Sequence, residues 1–121
     1  MALTLTSRQS GEVTVIGLSG RLDSGSGSTV LHEILHDVTA AGARKILLNL
    51  REVSFIDSSG LGELASGHAR ARQEGVAIKL ICLPRRVMEL FQMTGLHGIL
   101  DIYADEPEAI DSWGRATTPS G

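Results

Sequence analysis

Two short, nearly continuous apolar runs constrain this chain more than any other feature: Lys45-Ile-Leu-Leu-Asn-Leu50 and Val76-Ala-Ile-Lys-Leu-Ile-Cys-Leu83. Runs of this length suit strands covered on one or both faces. Between them, after Arg51-Glu-Val-Ser-Phe-Ile-Asp57, the residues Leu61, Leu64, Ala65, His68, Ala69 and Arg72 keep one helical face, and Gly75 stands where a C-terminal cap belongs. Strand, helix, strand in that order predicts neighbouring parallel strands in an α/β layer.

The flanks extend the pattern. Leu3 and Leu5 alternate with threonines, and after Ser10-Gly11 the alternation resumes at Val13 and Val15, followed by Ile16 and Leu18, which reads as a β-hairpin. Gly20-Arg-Leu-Asp-Ser-Gly-Ser-Gly-Ser-Thr29 breaks the pattern as a loop, and Leu31, Ile34, Leu35 and Val38 then recur at helical spacing. Pro84 can open a third, short helix carrying Val87, Leu90, Phe91 and Thr94 up to Gly95. Ile99, Leu100, Ile102 and Tyr103 suggest a last strand, and Glu106 to Trp113 a last helix with acids in its first turn. The expected fold is α/β: one domain over residues 1–113, a mixed, mostly parallel sheet of about four or five strands, and about four helices packed mainly on one side. Residues 114–121 are expected to be a disordered tail.

With a net charge of −3 over 121 residues, the chain lacks the basic surplus of a nucleic-acid binder, so a protein partner is expected. Cys82 is the sole cysteine, which excludes an intramolecular disulfide; inside its apolar run it reads as a buried, inert thiol in a reducing compartment. The N-terminus lacks the pattern of a secretory signal, and no apolar run approaches the roughly 18 residues of a membrane span. A soluble, cytoplasmic protein without membrane contact is the expectation.

Asp57-Ser58-Ser59-Gly60 falls at the junction of a strand and a helix. In the structural reading, Asp57 or Ser58 is an N-cap, and Gly60 and Gly62 let the helix pack close to the sheet. In the functional reading a serine here is a phosphorylation site. Free N–H groups and the positive end of the helix dipole tolerate a phosphate's charge of about −1.5 to −2, and Asp57 beside it makes the surface strongly anionic, so a docked partner is repelled while the fold survives.

Val53-Ser-Phe-Ile-Asp-Ser-Ser-Gly-Leu-Gly62 closely resembles the signature of STAS domains, the family of bacterial anti-sigma factor antagonists. Leu18-Ser-Gly-Arg-Leu-Asp23 resembles the family's early strand and loop, Ile46-Leu-Leu-Asn-Leu50 its central strand, and Arg85 to Leu96 its late helix and Thr-Gly-Leu turn. The resemblance runs from about Leu3 to Ile110 with the motifs in order. It implies no catalysis and no cofactor, but a partner-switching cycle. The unphosphorylated domain binds a GHKL-type serine kinase that is also an anti-sigma factor, which frees the sigma factor. Phosphorylation of Ser58, with Ser59 as the secondary candidate, ends the binding, and a PP2C-type phosphatase restores it. Asp23, Ser24, Asp57, Ser58, Ser59, Gly60, Leu61 and Gly62 are the implied partner-binding residues, on a monomer or weak dimer. The Gly/Ser-rich loop Ser24 to Ser28 departs from the bulkier residues of better-known members. The alternative within the fold is a non-switching scaffold, or a subunit of a signalling complex or transporter.

Competing chemistry has weaker support. His32-Glu-Ile-Leu-His36 has the H-E-x-x-H spacing of a zinc site, but both histidines fall on the flank of their helix and no third ligand follows at a recognisable spacing. The serine elbow G-x-S-x-G is absent, and the glycine loop lacks the lysine of a phosphate-binding loop. Arg70, Arg72, Arg85 and Arg86 read as solvated surface. Met88, Leu90, Phe91 and Met93 read as partly core and partly partner-facing, and His68 as a core residue.

Overall fold

The structure, a computed structural model, describes residues 2–116. Strands β1 (Thr4–Ser10) and β2 (Val13–Leu22) form the hairpin, turning through Gly11 at φ +61°. Helix α1 (Gly27–Ala40), strand β3 (Lys45–Ile56), helix α2 (Ser58–Gln73), strand β4 (Ala77–Ile81), helix α3 (Arg85–Thr94), strand β5 (Asp101–Tyr103) and helix α4 (Glu106–Ala116) follow. The sheet runs β1-β2-β3-β4-β5, with β1 antiparallel to β2 and every later pairing parallel.

Side-chain alternation divides the core between two faces. Ile16, Leu18, Ile46, Leu48, Leu50, Ile78 and Leu80 meet α1, α2 and α3 through Leu31, Leu35, Leu61, Leu64, Val87 and Phe91. On the other face Val13, Val15, Leu47 and Ile81 pack under Ala109 and Trp113 of α4. Three helices thus lie on one side and one on the other. The apolar run of β3 is continuous because both of its faces are covered at Ile46-Leu47-Leu48.

Lys79, inside the β4 run, points to the α4 side and is buried. Its ammonium donates to Ser112 Oγ at 2.5 Å and lies 4.4 Å and 5.0 Å from the ring centroids of Trp113 and Tyr103. Aromatic faces and a hydroxyl supply what water would have supplied.

Several boundaries differ from the sequence expectation. β2 continues through Gly20-Arg21-Leu22, which composition assigned to a loop, because two register shifts, between Gly17 and Ser19 and between Gly20 and Arg21, re-aim the strand instead of ending it. The buried face of α2 is Leu61, Leu64, Gly67, His68 and Ala71; Ala69 and Arg72 are exposed. The last strand starts only at Asp101, since Leu96–Gly98 forms a 3-10 turn that leaves Ile99 exposed. Cys82 is half-buried rather than buried, at a left-handed φ of +57° just past β4, with the Arg51 guanidinium 3.5 Å from its sulfur. Helix α4 takes in Gly114 to Ala116, part of the expected tail, and residues 117–121 lie outside those described.

Candidate functional site

The carboxyl ends of β2 and β3 lie level, Leu22 opposite Ile56, and both α1 and α2 start there. Crevices beyond the carboxyl ends of parallel strands are the usual place for sites in open α/β sheets. Two glycines make the convergence possible. A Cβ on Gly60 would stand 2.2 Å from the Leu22 carbonyl oxygen, and one on Gly27 would stand 2.2 Å from that of Arg21. Gly62, by contrast, faces open space, so its expected role in close packing is not borne out.

Asp57, not Ser58, is the N-cap of α2. Its extended backbone turns the carboxylate back over the first turn, where Oδ1 accepts from the Gly60 N–H at 3.1 Å. Oδ2 accepts from the Ser24 N–H, also at 3.1 Å, and the Asp57 N–H donates to the Leu22 carbonyl at 3.3 Å. One aspartate therefore ties the loop after β2 to the start of α2. The Gly60 N–H, aided by that of Ser24, holds the Asp57 carboxyl below its ordinary pKa against a smaller opposing effect of desolvation.

Asp23 is organised in the same way. It accepts from Arg21 Nε at 2.9 Å and from the Gly25 N–H at 3.1 Å, and the Arg21 bond is the main reason its pKa is lowered. Asp57 nearby pushes weakly the other way. The ionised Asp57 carboxylate thus directly precedes the exposed Ser58 and Ser59, the first two residues of α2, and the ionised Asp23 lies near enough to Asp57 to feel its charge.

Of the residues singled out from sequence, Asp23, Ser24, Asp57, Ser58 and Ser59 come together on one surface. Gly60 and Leu61 do not join it: both are buried, Gly60 against Leu22 and Leu61 in the core, so they seat the helix and present nothing to a docking protein. Gly62 is exposed one turn further along.

Sequence reasoning missed two neighbours. Phe55 is 41% exposed, and the Arg21 guanidinium lies 4.1 Å from its ring centroid. In sequence Phe55 looks like a core residue of the apolar stretch before Asp57. The only sequence clue was the surplus of polar residues at Arg51-Glu52 and Ser54, which breaks the alternation.

The competing motifs fall elsewhere. His32 and His36 are exposed on α1, and His32 Nδ1 sits 3.2 Å from Glu63 Oε2 and 3.1 Å from the Arg70 guanidinium. Among the described residues no three His, Cys, Asp or Glu side chains form a group that could hold a metal. His68 is buried as expected, with its Nδ1 unpartnered among the described residues.

The profile of the STAS domain family matches residues 4–109, from the start of β1 into the first turn of α4. The chain belongs to that family. This STAS domain is 35% identical over 89 residues to the anti-sigma-B factor antagonist of Bacillus subtilis, covering 74% of the chain and 80% of the relative. It is 30% identical over 98 residues to the anti-sigma F factor antagonist of Paenibacillus polymyxa, covering 81% and 84%. Its fold superposes on an anti-sigma factor antagonist from Mycobacterium paratuberculosis with a TM-score of 0.81 at 20% identity, covering 91% of this chain and 92% of the other. It also matches the Bacillus cell fate determinant SpoIIAA in the phosphorylated form, with a TM-score of 0.67 at 26% identity, covering 90% and 98%. Among the described residues, no helix of the STAS domain is long and apolar enough to cross a membrane.

Proposed function

We propose that this STAS domain is an anti-sigma factor antagonist working by partner switching, with Ser58 as the switch. The observation that carries the reading is the position of Ser58: exposed at the first residue of α2, directly after the capping Asp57 and on the same surface as Asp23 and Ser24. The names of the relatives and the existence of a phosphorylated neighbour support it.

In the unphosphorylated state the surface docks on an anti-sigma factor that is a GHKL-type serine kinase, and the sigma factor goes free. Transfer of the γ-phosphoryl group of ATP to the Ser58 hydroxyl releases ADP and a proton and adds a dianionic group beside two ionised carboxylates. Positive partial charge at the start of α2 accommodates the phosphate, so the fold holds, while three clustered anionic groups repel the former partner. Hydrolysis by a PP2C-type phosphatase resets the cycle.

Incubation with ATP and purified GHKL-type kinases from the same genome, followed by peptide-mapping mass spectrometry, tests the reading. A single phosphate on Ser58, absent from Ser58→Ala, is expected. Ser58→Asp is expected to weaken kinase binding about tenfold or more with its melting temperature nearly unchanged. A stable complex that ignores both substitutions would replace the switch with a permanent scaffold.

A further inference from the structure

Among the described residues three large hydrophobic side chains are exposed, and two of them, Met93 and Ile99, lie at the far end of α3 and beyond it. The third, Phe55, stands two residues before the capping Asp57. The chain has two phenylalanines. Phe91 is fully buried, whereas the other is 41% exposed, so a substantial part of its apolar surface still faces water.

Nor is the ring loose. Arg21 pairs with Phe55 across the parallel β2–β3 register and lays its guanidinium 4.1 Å from the ring centroid, while Asp23 holds the same guanidinium through Nε at 2.9 Å. Arg21 thus has its direction set by Asp23 and its guanidinium laid over the aromatic ring. A ring held this way loses little rotamer freedom when a partner covers it.

We propose that Phe55, braced by Arg21, is the apolar anchor of the docking surface, and that its occupant is the anti-sigma factor, through an apolar pocket edged by basic side chains. The chemistry of the partner follows from what surrounds the ring. Asp23 and Asp57 are both ionised and only one is neutralised, by Arg21, so the surface around an aromatic centre carries a surplus of negative charge. Aromatic and arginine side chains encircled by polar contacts are the residue types that concentrate binding energy at interfaces. The anchor supplies affinity that Ser58 does not, and the phosphate removes it by repulsion at the edge of the contact.

This inference rests on the Ser58 surface being the docking surface, and the test separates the two. Dissociation constants are measured by calorimetry for the wild type, Ser58→Asp, Phe55→Ala, Phe55→Leu and Arg21→Ala against the same panel of purified GHKL-type kinases. Phe55→Ala is expected to weaken binding at least tenfold, Phe55→Leu and Arg21→Ala about threefold to fivefold, all with melting temperatures close to wild type because the ring is already half outside. If Ser58→Asp loses binding while Phe55→Ala stays within twofold of wild type, the anchor is wrong and the switch stands. If Ser58→Asp binds as well as wild type while Phe55→Ala loses tenfold, the switch falls and the anchor stands; if no kinase binds the wild type, or if both variants bind as well as wild type, both fall.

Discussion

The starts of α1 and α2 lie side by side against the end of β2, each seated by a glycine with no room for a Cβ, yet only one has a side-chain cap. Ser26 precedes α1 and makes no capping bond; α1 is tied instead by backbone, Ser28 N–H to the Asp23 carbonyl and Val30 N–H to the Ser26 carbonyl, both at 2.9 Å. Asp57 precedes α2, caps it and also reaches across to Ser24. Close seating is therefore what both helices require of the fold, and the carboxylate is what distinguishes α2. It holds two loops in one surface and places a negative charge beside Ser58.

The largest effect expected from breaking this comparison is at the glycines. Gly60→Ala and Gly27→Ala each force a methyl group into a backbone carbonyl and are expected to cost about 3 kcal/mol in urea unfolding. Gly62→Ala, in open space on the same helix, should instead stabilise by about 0.5–1 kcal/mol from helix propensity. Equal effects at Gly60 and Gly62 would remove the argument for close seating.

Next comes the cap. Asp57→Ala leaves the N–H groups of Gly60 and Ser24 without this acceptor and is expected to lower the melting temperature by about 5 °C. The pH dependence sharpens the point. A carboxyl whose folded pKa is lowered contributes its full stability above the ordinary aspartate value and loses it as pH falls through the folded value. Stability of the wild type should thus decline below about pH 4, and Asp57→Asn, which keeps a side-chain acceptor but cannot be protonated, should lessen that decline. Asp23 has the same direction of shift, so a remaining acid slope is expected from it. The smallest effect belongs to Ser26→Ala, within about 0.5 kcal/mol of wild type, because the hydroxyl it removes makes no capping bond. A loss as large as that of Asp57→Ala would mean that the two starts do not differ.

Much of this molecule was legible in its sequence where the signal is local. The apolar runs at Ile46 and Ile78, the helical spacing of Leu31 and Leu35, and the cap chemistry at Asp57 each follow from a few neighbouring residues, and all appear in the structure. The misreadings share a different origin. Gly20-Arg21-Leu22 reads as loop by composition, yet pairing with β3 keeps it extended. Arg72 fits the helical stripe by spacing, yet packing turns Gly67 and Ala71 inward in place of Ala69 and Arg72.

By itself, then, the sequence determined the kind and order of the elements and put Asp57, Ser58 and Ser59 at a strand-to-helix junction, because side-chain periodicity and capping act within a turn or two. Only the tertiary structure decided that Ser24 would give its N–H to an aspartate 33 positions away, that Phe55 would stand outside under Arg21, and that Lys79 would be buried beneath α4. Those outcomes depend on the register of β2 on β3 and on which face each helix covers. A shift of one residue in a strand exchanges its two faces, and no short stretch of sequence encodes where such a shift occurs.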